Sequence, residues 1–242
     1  MESGTAVVVG VGSETGLGAA LARRFASEGL RVILAGRTAK SLKSIAAAIT
    51  DAGGVALLRV TDASREKDVI ALFDKAAADG DLRLVAYNVG NNVMTPLLQT
   101  EAAVFESMWR QNALGGFLVG REAVRRMLPR GEGTILFTGA TASLRARPPF
   151  TAFASAKAAL RAVAQGLARE FGPHGLHVAH VVIDGVIEGD YARSNFPDFV
   201  RAKGAEGLLK VDAIADSFWA VHRQPKSAWT HEFDLRPFKE SF

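Results

Sequence analysis

Three features of the sequence predict an α/β fold: one doubly wound parallel sheet with helices on both faces. Short apolar runs rich in β-branched residues alternate with longer stretches whose apolar positions recur at helical spacing, the pattern that βαβ units produce. The first run, Ala6 to Gly10, passes directly into a glycine cluster, Gly10-Val-Gly-Ser-Glu-Thr-Gly-Leu-Gly18, which opens a helix. No linker, internal repeat or low-complexity segment interrupts the alternation, so residues 1–242 read as a single domain.

Composition sets the outer bounds. Of 242 residues, 48% are hydrophobic and 22% charged, enough for one substantial core. A net charge of +4 would suit an anionic partner. However, Lys and Arg are scattered (Arg23 and Arg24, Arg125 and Arg126, Arg145 and Arg147), which argues against nucleic acid. With no cysteine there is no disulfide, thiolate nucleophile or Cys-based metal site, and no metal is predicted. The N-terminal apolar run is too short for a signal peptide, and no segment approaches the ~18 continuous apolar residues of a membrane span. A cytoplasmic protein with no membrane partner is expected.

The elements follow in order. After the first strand the glycines are spaced Gly12-xxx-Gly16-x-Gly18, with Ser13 and Leu17 between them. Glycine there lets backbone approach a pyrophosphate, whose charge is favoured at a helix N-terminus. Arg31 to Ala35 is the second strand, ending in Gly36-Arg37-Thr38. A cofactor with a free ribose 2′-hydroxyl calls for an acid at this strand end, whereas an Arg suits a 2′-phosphate. Gly36 in the acid's place and Arg37 after it therefore favour NADP(H). Residues 39 to 52 read as helix and Val55 to Val60 as the third strand, with Arg59 near its end available to stack on adenine. Asp62 reads as the N-cap of a helix running to about Ala78. Leu82 to Tyr87 is the fourth strand, followed by a polar turn that includes Asn88, Gly90, Asn91 and Asn92.

Glu101 to Leu128 reads as one long helix containing Asn112, a poor mid-helix residue unless its side chain has other work. Gly133 to Thr138 is the fifth strand, Ala152 to Phe171 an Ala-rich helix, and His177 to Ile183 the sixth strand. His180, alone in that apolar run, reads as a hydrogen-bonded core residue. Asp184-Gly185-Val186-Ile187 follows, then loop and short-helix signals over 188–209. Val211 to Arg223 is a last helix and Ala228 to Leu235 a last strand. The tail from Arg236 ends in apolar groups suited to a subunit contact.

Taken in this order, the glycine spacing, Tyr87-Asn88-Val89-Gly90 and Phe153-Ala-Ser-Ala-Lys157 resemble the short-chain dehydrogenases/reductases over essentially the whole chain. That resemblance implies a Rossmann-type fold in which Gly12, Ser13, Gly16, Leu17, Gly18, Arg37, Asn88, Gly90, Lys157, Gly185 and Ile187 bind the cofactor. It implies that Lys157 and Asn112 belong to the catalytic set, Asn112 through a water relay. It also implies a substrate lid at about 188–209 and a homodimer or homotetramer. The chain departs from the family where the chemistry sits. Phe153 stands where the family has its catalytic Tyr, Ala140 where it has its Ser, Asp184 where it has Pro, and Gly189 where it has Thr.

Two functional readings follow. One is an NADP(H)-dependent oxidoreductase acting on a carbonyl or alcohol by a rerouted proton path, with Tyr191, Asp184, Thr141 or Ser143 as substitute proton carriers or the Lys157 ammonium itself. The other is an inactive NADP(H)-binding sensor or assembly subunit. A lyase or isomerase with Asp184 as base is a third. Arg145 and Arg147 could guide an anionic small-molecule substrate.

Overall fold

Alternation of strand and helix brings every strand of the described residues into one sheet. A computed structural model describes residues 4–90 and 92–240, with the backbone alone of Ala205. The strands are β1 Thr5–Val9, β2 Arg31–Gly36, β3 Val55–Val60, β4 Leu82–Tyr87, β5 Gly133–Thr138, β6 Leu176–Ile183 and β7 Glu232–Leu235. The helices are α1 Leu17–Ser27, α2 Ala39–Asp51, α3 Glu66–Ala78, α4 Ala102–Trp109, α5 Gly115–Met127, α6 Thr151–Phe171, α7 Asp190–Asn195, α8 Pro197–Lys203 and α9 Val211–His222.

The sheet order is β3-β2-β1-β4-β5-β6-β7, and every pairing is parallel. The crossovers turn in opposite directions on either side of β1, opening a crevice beyond the C-terminal ends of β1 and β4. Register brings the ends together: Val9 lies opposite both Ala35 and Tyr87, and Tyr87 opposite Phe137. Strands buried on both faces need continuous apolar runs, and β1 and β6 are buried at every position. On one face Leu21 and Phe25 of α1, Leu42 and Ile45 of α2 and Phe218 of α9 form a core. On the other, Leu72 and Phe73 of α3, Val119 of α5 and Leu160 of α6 form a second.

Three expectations change. The helix expected over 101–128 is divided into α4 and α5 by a π-helical turn at Arg110–Leu114. Its extra residue rotates Asn112 into the interior, where it is fully buried. Asp62 does not cap α3, which begins at Glu66 after Arg65. Its carboxylate instead accepts the Ser64 N–H at 3.0 Å and the Ser64 hydroxyl at 2.7 Å, bending the chain before the helix. The last strand is only Glu232–Leu235. Ahead of it Ala228 closes a turn onto the Pro225 carbonyl, and Trp229 stacks on His177 with ring centroids 4.7 Å apart. The short helices within the 188–209 segment are α7 and α8. Asn91 and the end of the tail, Ser241 and Phe242, lie outside the described residues.

Candidate functional site

The glycine turn is built by exclusion. Gly10 has φ +97°, and a Cβ there would meet the Asn88 backbone at 2.6 Å. One at Gly18 would meet the Gly10 carbonyl at 2.7 Å, so α1 can pack this closely on β1 only through glycine. Gly12, by contrast, has nothing within 4 Å of its Cβ position. It opens onto a cleft lined by Arg37, Asp62, Asn88, Gly90 and Gln111. The open backbone at Gly12, at the start of a helix, fits a dinucleotide's phosphates, and Gly12, Ser13, Gly16, Leu17 and Gly18 could hold them.

Position 36 admits no side chain, because a Cβ would lie 2.1 Å from the Val11 carbonyl oxygen. The absent acid is thus a packing consequence, and Arg37 supplies the strand-end cation. Thr61, Asp62 and Ser64, not Arg59, line the cleft beyond β3, so the stacking role considered for Arg59 has no support in the geometry. Burial pushes the Asp62 carboxyl up. Hydrogen bonds from Ser64 and the cations Arg65 and Arg37 outweigh that and hold it below its usual range.

Behind Gly90, at the edge of the cleft, lies Lys157 of α6. Lys157 is buried, and its Nζ donates to the Thr138 carbonyl at 2.9 Å and the Val89 carbonyl at 3.3 Å. Removal from water brings the amine down to about 7. One turn earlier on the helix, the Phe153 ring centroid lies 5.8 Å from Nζ. The ring shields the ammonium and has no proton to exchange. Asn112 donates its amide to the Met108 carbonyl at 3.0 Å, while its Oδ1 is buried with no protein partner. A Cβ at Gly90 would stand 3.3 Å from Lys157 Nζ and 3.9 Å from Asn112 Oδ1. Lys157, Asn112 and Gly90 are therefore brought together.

The sequence profile of the family described as short chain dehydrogenase matches residues 5–198. This chain belongs to that family. A short-chain dehydrogenase from Rhodopseudomonas palustris is 40% identical, superposes with a TM-score of 0.83, and is matched over 98% of this chain and 99% of that one. A metagenomic short-chain oxidoreductase solved in complex with NADP is 25% identical, with a TM-score of 0.81 over 97% of each chain. Gluconate 5-dehydrogenase of Gluconobacter oxydans is 28% identical over 221 residues, 90% of this chain and 79% of that protein. An uncharacterized oxidoreductase of Bacillus subtilis is 34% identical over 182 residues, 74% of this chain but 26% of its own length.

In this chain the candidate substitutes for a proton carrier are already engaged. Ala140 offers no side-chain oxygen, and its backbone N–H is bonded to the Ser143 hydroxyl at 3.1 Å. The Thr141 hydroxyl donates to Asp184 at 2.5 Å. Asp184, buried, also binds Arg236 at 2.8 Å and Arg145 at 3.7 Å. With both oxygens taken up by two cations and a hydroxyl, Asp184 has no geometric support as a base. Arg145 is thereby drawn toward Asp184. Tyr191 is 58% exposed, with its ring edge-on to Phe196 and its hydroxyl 3.4 Å from the Asn92 carbonyl.

Gly185 has φ +153° and packs against Pro237, while Ile187 bridges to Leu209. His180 is fully buried and bonded to Glu232, and desolvation brings it down to about 4. Sequence reasoning missed Gln111, Asp190, Glu232 and Arg236 as site residues. Gln111 lines the cleft, and Asp190, Glu232 and Arg236 meet Thr15, His180 and Asp184 across the fold, so no local motif marks them. Among the described residues no His/Cys/Asp/Glu cluster could hold a metal, and no helix is long and apolar enough to cross a membrane.

Proposed function

We propose that this chain is an NADP(H)-dependent oxidoreductase acting on a carbonyl or alcohol, with Lys157 exchanging the proton. The observation that carries this reading is the buried Lys157 amine behind Gly90 of the cleft lining, brought to about 7 beside a side chain with no proton. A general acid works best with a pKa near the working pH, and such catalysis is typically worth roughly 10²- to 10⁴-fold.

The glycine turn would hold the pyrophosphate, Arg37 the 2′-phosphate, Asn88 and Gly90 the adenosine side, and Gly185 and Ile187 the nicotinamide end. The metagenomic relative solved with NADP supports this choice of cofactor. A bound nicotinamide supplies or accepts the hydride. In carbonyl reduction Lys157 Nζ gives up its proton, and in alcohol oxidation the neutral amine takes one. Asn112 Oδ1, buried without a protein donor, suits a water that returns the proton. Phe153 keeps the amine desolvated. The 188–209 segment would close over the substrate. Phe105, Trp109 and Phe117, partly exposed along α4 and α5, suit subunit contact in a cytoplasmic homodimer or homotetramer.

One observation favours a second reading, an NADP(H)-binding sensor or assembly subunit without turnover. Thr141, Ser143 and Asp184 are all bonded within the protein, so no free hydroxyl beside Ala140 replaces the one the family uses. The deciding experiment is NADPH oxidation against a panel of aldehydes, ketones and enones, with Lys157→Ala as control. Turnover lost in the variant supports the enzyme. Tight NADPH binding with no turnover of any panel member supports the sensor, and absence of NADPH binding overturns both.

A further inference from the structure

We propose that His180, Glu232 and Arg161 are positioning residues that fix the backbone receiving the Lys157 amine. The consequence for turnover rests on the proposed role of Lys157; the positioning itself does not.

The contacts form a closed circuit through four elements. Lys157 of α6 donates to the Thr138 carbonyl at the end of β5. The next residue, Gly139, donates its N–H to the Val181 carbonyl of β6 at 2.7 Å. A Cβ on Gly139 would lie 2.2 Å from His180 Nε2, so the imidazole edge is packed directly against this glycine. His180 Nδ1 is 2.9 Å from Glu232 Oε2 of β7. Both Glu232 oxygens are gripped by Arg161 at 2.6 Å, and Arg161 lies one helical turn beyond Lys157 on α6.

Charge fixes the proton arrangement within the circuit. The Arg161 hydrogen bonds and charge, with the hydrogen bond from His180, hold the Glu232 carboxyl below its usual range against the effect of burial. Glu232 is then a carboxylate and can only accept, so His180 Nδ1 carries the hydrogen and Nε2 a lone pair. Nε2 is buried with no hydrogen-bond partner, so the ring meets Gly139 by packing alone.

An apolar trio of similar volume would stabilise this sheet edge about as well, since a buried ionic network repays its desolvation poorly. What an apolar trio lacks is direction. Glycine is the residue with the loosest backbone, and Gly139 follows the carbonyl on which Lys157 depends. The oriented imidazole supplies the restraint that a Cβ would otherwise give. His180 of β6 interacts electrostatically with the amine, and Glu232 of β7 and Arg161 of the amine's own helix interact with His180 in turn.

The test uses the full chain and follows the Lys157 side-chain resonance by lysine-selective NMR, assigned through Lys157→Met, alongside NADPH oxidation. Glu232→Gln and Arg161→Ala should move the Lys157 titration midpoint by about half a pH unit or more. They should lower kcat by about tenfold to a hundredfold with little change in KM. Arg161→Lys, which keeps the charge, should recover most of the wild-type resonance. If His180→Ala fails to fold, Arg161→Ala carries the test, because that side chain is 34% exposed. A folded variant whose Lys157 resonance and titration are unchanged, whatever its thermal stability, would overturn the proposal. No turnover by wild type together with a Lys157 resonance that still responds would count against the oxidoreductase and leave the positioning intact.

Discussion

The Asp190 carboxylate accepts a 2.6 Å hydrogen bond from the Thr15 hydroxyl, and the same oxygen lies 3.3 Å from the Ser13 hydroxyl. The first residue of α7 is thus tied to the glycine turn by an anion. A pyrophosphate bound at that turn would meet a like charge. Asp190→Asn keeps the acceptor oxygen and removes the charge, so NADPH affinity should rise roughly two- to fivefold at low salt, with less gain as salt is added. Fluorescence titration of NADPH checks this. Unchanged or weaker binding would show that Asp190 does not oppose the phosphates.

Lys157 sets a pH dependence with a definite sign. Its amine titrates at about 7. A proton donor must be protonated, so kcat/KM for carbonyl reduction should be level below pH 7 and fall about tenfold per unit above it. Alcohol oxidation needs the neutral amine and should rise toward pH 7, then level off. Profiles at constant ionic strength test both limbs, and a reduction rate that stays flat to pH 9 would exclude Lys157 as the donor.

His180 should weaken the fold in mild acid. Desolvation brings its pKa from 6.5 to about 4, so the unfolded chain takes up a proton that the folded chain refuses. This contribution is neutral above pH 6.5, destabilises progressively as pH falls toward 4, and is complete below it. A shift of this size corresponds to a few kcal/mol. His177, also lowered chiefly by burial, acts in the same direction. Denaturant midpoints between pH 7 and 4 should fall less steeply in a folded His180→Asn variant than in wild type.

Cofactor preference should resist change at position 36 and yield at position 37. Gly36→Asp sets a Cβ against the Val11 backbone, so it should cost about 1–3 kcal/mol of stability before any gain for NADH is seen. Arg37→Ala should weaken NADPH by about tenfold or more and leave NADH nearly unchanged. Parallel titrations with both nucleotides and a thermal melt of each variant separate the two effects.

What the sequence disclosed was local. The glycine turn could be read because its spacing is local: Gly18 is dictated by the Gly10 carbonyl within one strand–helix unit, although Gly10 itself answers to the distant Asn88 backbone. Phe153 and Lys157 could be paired because helix geometry relates i and i+4 in any context. Asn112 stood out as an awkward helix residue, but the π-helical turn that rotates it inward depends on tertiary packing and leaves no pattern of its own. Asp62 looked like a cap because its neighbours are typical of a first turn, yet Ser64 captured its carboxylate first. Asp184 illustrates the other limit. Read alone it was a free carboxylate at the pocket floor; its partners Arg145 and Arg236 come from distant stretches of the chain, and only folding reveals that it is spent.

Glu232 and Arg236 lie far along the chain, after the 188–209 segment and α9, and they complete contacts begun by His180 and Asp184. On a ribosome, β1 to β6 and the helices between them emerge well before either residue. A chain ending ahead of Glu232 would still carry every residue of the glycine turn and of the crevice lining, while His180 would lack its carboxylate and Asp184 one of its two arginines.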